Sequence, residues 1–314
     1  MANYTILQNK DIQEIISFYG LTINSFRAIE GGAGNSSYLL QSNQGDYILT
    51  VFDGKEWADV IILGKVLNYL DEIEFITTKL LTRLDGAFVT KFQNTPVMIK
   101  PNMRGEVYKK LTKKMVRRSG QELARLHKIP PPDYLPLSYS YSWKIFSKVI
   151  GMGIDLDYES RIANKQRYIK KHLLKNLPRG LIHGDLFYDN VLFTGNELQA
   201  IIDFEEACNY FLGFDIGMGI VGQCLDGKTI SLERAKEFVS GYQRVRKLGK
   251  TGREKLQLFV EYAAIATSYW RFWNYHIHIP TPDKQKEHRK MMQIADNVRA
   301  IPEADFQKAL FEAP

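Results

Sequence analysis

The apolar positions of the first third of the chain change period several times. Ile12, Ile15, Ile16 and Tyr19 recur at helical spacing, and residues 26–29, 37–40 and 47–52 then read as strands broken by glycine-containing turns. A helix over 57–70 follows, and residues 76–81, 87–92 and 96–100 read as further strands. From residue 115 onward the period is mostly helical, over 115–127, 158–176, 215–225, 231–247, 252–274 and 282–299. Set among these helices, the apolar runs 191–193 and 200–202 flank the turn Thr194-Gly195-Asn196 and predict a hairpin. The pattern is that of an α+β protein with two lobes, a small N-terminal antiparallel-sheet lobe over 1–100 and a larger, mainly helical lobe over 101–314. The change of pattern falls at Lys100-Pro101-Asn102, which reads as a hinge without a long linker, with the active site expected between the lobes. Pro130-Pro131-Pro132 reads as a short rigid connection.

The predicted hairpin matters because of what surrounds it. Residues 181–204 read LIHGDLFYDNVLFTGNELQAIIDF, and the hairpin is expected to return Asp203 to the neighbourhood of Asp185 and Asn190. A carboxylate, an amide and a second carboxylate are what phosphoryl transfer requires. One group orients the attacking hydroxyl, and oxygen donors hold Mg²⁺ against the phosphates. In this reading Asp185 takes the proton of the acceptor hydroxyl, and Asn190 and Asp203 are the metal ligands. His183 supports the loop through one ring nitrogen, bonded to a backbone carbonyl or to Asp203. Each polar residue alone is also an ordinary loop punctuator. It is the joint spacing H-G-D-x-x-x-x-N, strand, turn, I-I-D-F that matches kinase catalytic-loop and metal-binding elements, with Gly184 where Arg is usual.

HGDLFYDNVLF followed by IIDFEEACNYFLGFDIG resembles the aminoglycoside phosphotransferase and choline kinase family, and within it the bacterial homoserine kinases. TRLDGAFVTKF, ELARLHKI and SYWRFWNYHIHIP agree, so the resemblance extends over nearly the whole chain. It implies a protein-kinase-like fold, with ATP and Mg²⁺ as cofactors. The reaction implied is phosphoryl transfer to the hydroxyl of a small molecule, with L-homoserine first among acceptors and choline, an aminoglycoside, hydroxylysine or another amino alcohol as alternatives. It also implies that Asp215 helps hold the catalytic loop, although an Asp opening a helix would equally be a cap.

On the nucleotide side, Gly31, Gly32, Gly34, Asn35 and Ser36 sit between two predicted strands, where glycines let backbone N–H groups approach phosphate. A Gly-rich hairpin turn is the ordinary alternative. The strand Y-I-L-T-V-F carries Thr50 where most kinase-like proteins carry a phosphate-pairing Lys. Lys55, five residues on, is the candidate substitute, with Glu56 or Asp59 as possible partners. The same Thr motivates a different class of function, a nucleotide-binding pseudokinase, against which Asp185, Asn190 and Asp203 all argue. On the acceptor side, Arg271 and Glu205 are the candidate partners of an amino acid's carboxylate and ammonium.

Composition narrows the rest. With 45% hydrophobic residues the chain can bury a sizeable core. Its start lacks the pattern of a signal peptide, and no apolar stretch has the length of a membrane span, so a cytoplasmic protein is expected. Cys208 and Cys224 are too few for a disulfide framework, and neither is a candidate nucleophile. The formal charge is +7, and Lys109, Lys110, Lys113, Lys114, Arg117 and Arg118 cluster. No aromatic residues interleave with them as a base-stacking platform requires, so a solvated helix face is expected and nucleic acid is not. His276-x-His278 lacks the companions of a zinc site. The partners expected are thus a nucleotide and a hydroxyl-bearing small molecule, and the sequence leaves the oligomeric state open.

Overall fold

In the computed structural model, which describes residues 5–29, 34–173 and 176–312, helix α1 (Asn9–Ser17) buries Ile12, Ile15 and Ile16. They pack on one face of an antiparallel sheet built from β1 (Ser25–Ile29), β2 (Ser36–Ser42), β3 (Gly45–Val51), β4 (Thr90–Phe92) and β5 (Thr95–Pro101). The strand order is β1-β2-β3-β5-β4. Leu49, Val51, Val97 and Ile99 supply that face, as alternation of side chains along a strand demands. Helix α2 (Trp57–Glu72) lies in chain order between β3 and β4.

Residues 76–81, expected as a strand, form only an isolated parallel bridge from Thr77 to Ile201 and a single bond from the Leu81 N–H to the Ile99 carbonyl. β3 pairs one edge of β5 and β4 takes Thr95–Val97 of the other, which leaves only a short stretch of edge, where Ile99 receives Leu81, and no continuous partner for the segment. Its apolar residues serve packing instead: Leu81 rests against the sheet core.

The remainder is mainly helical: α3 (Lys113–Leu126), α4 (Leu156–His172), α5 (Leu212–Gln223), α6 (Leu232–Val245), α7 (Lys250–Glu254), α8 (Leu256–Trp273), α9 (Glu287–Ala300) and α10 (Glu303–Phe311). The helix expected over 252–274 is thus two, jointed at Lys255, and α10 was not anticipated. Side-chain oxygens of Thr112, Asp155 and Ser231 cap α3, α4 and α6. Helices α3 and α6 approach through glycine. A Cβ at Gly120 would stand 2.1 Å from the Phe238 carbonyl oxygen, and one at Gly241 2.0 Å from that of Arg117. The basic cluster on and before α3 is partly paired. Lys113 bonds Glu233, Arg117 donates to Glu237 at 2.6 Å, and Arg118 and Lys114 lie 3.3 and 3.8 Å from Glu197.

Among the described residues six short strands punctuate the helices. β6 (Arg179–Ile182) pairs antiparallel with β9 (Cys208–Phe211), and β7 (Val191–Thr194) pairs with β8 (Glu197–Ile201) around Gly195, whose φ is +59°. β10 (Leu225–Asp226) and β11 (Thr229–Ile230) make a minimal ribbon between α5 and α6. Packing divides the chain into two compact units. One runs to Gly105 and takes in Gln199–Glu205; the other comprises Glu106–Leu198 and the chain from Glu206. Among the described residues no helix is long and apolar enough to cross a membrane. Cys208 and Cys224 are both buried free thiols, and burial pushes the Cys224 thiol up to about 12.

Candidate active site

In the helical unit, the chain leaves β6 at His183 into a loop organised by one buried carboxylate. Asp215, on α5 and wholly buried, accepts the backbone N–H of His183 at 2.8 Å and of Gly184 at 2.9 Å. It also accepts from His127 Nε2 at 3.0 Å, while His127 Nδ1 lies 2.9 Å from the Tyr242 hydroxyl. These contacts fix the tautomer: Nε2–H donates to the carboxylate, and Nδ1 accepts from Tyr242. Burial alone would raise the Asp215 pKa, yet the hydrogen bond and charge of His127, the His183 charge and the Gly184 N–H hold it below the ordinary carboxylate range. Burial pushes the His127 pKa down, against the pull of Asp215. Helix α5 begins at Leu212 with Phe211 as its N-cap and no side-chain cap, so Asp215 binds the loop and does not cap the helix.

Gly184 explains its own place in the motif. Its φ is +86°, and a Cβ there would stand 2.7 Å from the Glu206 carbonyl oxygen. No side chain fits where Arg is more usual.

Beyond Gly184 the loop folds on itself. The Asp185 N–H donates to His183 Nδ1 at 3.1 Å, so the buried imidazole is an acceptor for the loop backbone. Asn190 closes the short 3₁₀ turn Tyr188–Asn190, and its Nδ2 donates to the Asp185 carbonyl at 2.7 Å and carboxylate at 3.2 Å. With both amide hydrogens directed at Asp185, Oδ1 is the acceptor that Asn190 retains. Among the described residues no group of three or more His, Cys, Asp or Glu could hold a metal by itself. Asn190 Oδ1 is an oxygen donor of the kind that Mg²⁺ takes, in a shell otherwise filled by water and phosphate oxygens.

The same unit holds Arg271, in the last turn of α8. Its Nη1 lies 3.7 Å from Glu287 Oε2 and donates to the Glu287 carbonyl at 3.5 Å. Burial lowers the guanidinium pKa, opposed by the charges of Tyr275, Glu287, Asp185 and Tyr188, which places Arg271 within the electrostatic reach of the loop. The aromatic run in which Arg271 sits divides. Tyr269 and Phe272 are buried, packed against Phe146 and Tyr158, and the chain then makes a π-helical turn over Asn274–His278. Glu287 escaped sequence reasoning because nothing in the chain links it to an arginine sixteen residues earlier. His127 had a signal: it continues the buried face Val116, Gly120, Leu123 of α3.

In the sheet unit, Glu205 gathers a second group. It accepts from Asn35 Nδ2 at 2.6 Å and pairs with Lys55 Nζ at 3.3 Å, so Lys55 meets Glu205, a partner distinct from Glu56 and Asp59. The structure thus places Glu205 with the nucleotide-side candidates Asn35 and Lys55. Burial and the Asp203 charge push the Glu205 pKa up, and Lys55 and Lys100 oppose them. Asp203 is exposed and holds a left-handed backbone, φ +67°. Ser36 has its hydroxyl committed to Asp53 at 2.5 Å, which ties the start of β2 to the turn after β3. Gly34 has φ +123°; Gly31 and Gly32 lie outside the described residues.

Comparison with known proteins agrees with this architecture. The model of the phosphotransferase enzyme family (APH) matches residues 25–259. A homoserine kinase of Sinorhizobium fredii is 29% identical over 285 residues, 88% of this chain and 87% of that protein. One of Rhizobium meliloti is 28% identical over 287 residues, 88% of this chain and 87% of that protein. Among solved structures, a microcompartment-associated aminopropanol kinase superposes with a TM-score of 0.74 at 17% identity, covering 96% of this chain and 100% of that one. A choline kinase of Streptococcus pneumoniae gives 0.68 at 18% identity, covering 93% and 98%. The expected two-lobed, kinase-like α+β fold is therefore correct. The chain belongs to the APH phosphotransferase enzyme family and is a kinase that transfers phosphate to a hydroxyl.

Proposed function

We propose that this protein is an ATP-dependent, Mg²⁺-requiring kinase whose acceptor is a small amino acid bearing a side-chain hydroxyl, L-homoserine before others. The observation that carries the acceptor is the Arg271–Glu287 pair, whose guanidinium feels the charge of Asp185. A zwitterion presents one carboxylate and one ammonium, and a half-buried Arg beside a Glu complements both. Choline would ask for an aromatic cage without an arginine, and an aminoglycoside for a uniformly acidic surface. The homoserine kinases among the relatives point the same way.

In this reading Asp185 accepts the proton of the acceptor hydroxyl as its oxygen approaches the terminal phosphorus in line. Asn190 holds the Asp185 carboxylate through Nδ2, which fixes the direction of the accepting oxygen. Asp215 and His183 immobilise the backbone on either side of Gly184, so little reorganisation remains for the transition state. Asn190 Oδ1 and the Asp203 carboxylate are assigned to the metal, which supplies charge neutralisation at the phosphates when bound. The nucleotide is assigned to the sheet unit, with Gly34 on its phosphate side and Asn35 and Lys55 gathered on Glu205 beside it.

The test is a coupled assay of ADP release with Mg²⁺–ATP across L-homoserine, hydroxylysine, L-serine, choline, 1-amino-2-propanol and kanamycin. The expected result is a kcat/KM for L-homoserine at least about tenfold above choline, 1-amino-2-propanol and kanamycin, which lack the carboxylate, a preference within reach of one well-made charge pair. A higher value for choline or kanamycin would overturn the acceptor assignment. Nucleotide binding without turnover of any acceptor would favour a pseudokinase.

A further inference from the structure

We propose that Lys100 is the cation that faces the nucleotide phosphates in this chain, in place of the lysine that Thr50 displaces; the assignment rests on reading the protein as an ATP-using kinase. Strands β3 and β5 pair Thr50 with Met98 and Ile48 with Lys100. Leu49, Val51, Val97 and Ile99 point to the α1 side, so Ile48, Thr50, Met98 and Lys100 share the opposite face. Thr50 and Met98 are buried, short of charge and unable to bind an anion ionically. One pair further along, Lys100 brings an ammonium onto the very face that Thr50 leaves neutral, on a half-buried stem long enough to carry its charge past Met98.

Lys55 is less suited to the part. It stands in the turn after β3 and is bonded directly to Glu205, which also takes the Asn35 amide. Lys55 thereby neutralises Glu205, and Lys100 supplies the positive charge left for a polyphosphate.

Calorimetric titration of the full-length protein with Mg²⁺–AMP-PNP and, separately, with adenosine tests the assignment. Lys100→Met is expected to weaken AMP-PNP roughly 10- to 100-fold, the worth of one charge-assisted bond, and to leave adenosine within about twofold. Adding Thr50→Lys to that variant should recover most of the loss, because it restores an ammonium to the same face. Unchanged AMP-PNP affinity, or an equal loss for adenosine, overturns the role of Lys100 while leaving the kinase reading standing. A wild-type protein that binds neither probe overturns both. Lys100→Gln, which keeps a polar head, serves if Lys100→Met does not fold.

Discussion

Asp185 is the residue on which most depends, and its neighbours show how little the loop leaves to chance. Its backbone N–H, its carbonyl and its carboxylate are each bonded, to His183 and Asn190. Asp185→Asn keeps that shape and removes the proton acceptor. Turnover should fall about 10²- to 10⁴-fold with AMP-PNP affinity unchanged, and near-normal kcat would sink the assignment. For the acceptor pair, Arg271→Met should raise the KM for L-homoserine about 10- to 100-fold and spare the KM for ATP; steady-state kinetics with each substrate varied in turn separates the two. Asp203 differs in kind, because its left-handed φ of +67° costs a non-glycine residue about 1 kcal/mol. Asp203→Gly should therefore unfold at the same or slightly higher denaturant concentration while losing transfer activity. A clear loss of stability would show that the carboxylate supports the fold.

At the level of elements, most helices were legible because their buried faces repeat at the helical period, as Ile12, Ile15 and Ile16 on α1 show. The segment 76–81 was not, because alternation reports a residue's wish to be buried and says nothing of whether a strand edge is open to receive it. Two of the chemical elements were half-legible. The motif exposed His183, Asp185 and Asn190, and Asp215 and the buried face ending at His127 were each visible, yet nothing local reveals that these two pair, joining α3 to α5 across 88 residues. The same applies to Glu287. Gly184 shows the opposite case, a departure visible in the sequence whose reason is purely spatial. Gly184→Ala combines a disfavoured backbone with a 2.7 Å contact to the Glu206 carbonyl oxygen, and should destabilise the protein by about 2–4 kcal/mol in urea titration.

For the whole molecule, the buried histidines set the response to acid. The folded-state pKa of His127 lies below its ordinary value, lowered by burial, and His288 is lowered in the same way against its bond to Asp155. As pH falls below about 6.5 the unfolded chain takes up protons that the folded chain refuses, so stability declines from there downward. Asp215 has the opposite charge type and a depressed pKa, so its contribution persists until pH falls below the ordinary carboxylate range near 3.9. Melting temperatures at about pH 7 and about pH 5 should fall for the wild type, and less steeply for His127→Gln; equal slopes would remove His127 as the sensor. The division of the chain carries another consequence. The sheet unit is completed by Gln199–Glu205, seven residues drawn from the far side of the catalytic loop, so the polypeptide passes from one unit to the other at Gly105, at Leu198 and at Glu205. Neither unit can be inherited, transplanted or recombined as a continuous stretch of coding sequence. A chimaera joined at Gly105 would receive Lys55 from one parent and Glu205 from the other, so exchange among related kinases is confined to parents whose charges at those two positions already match.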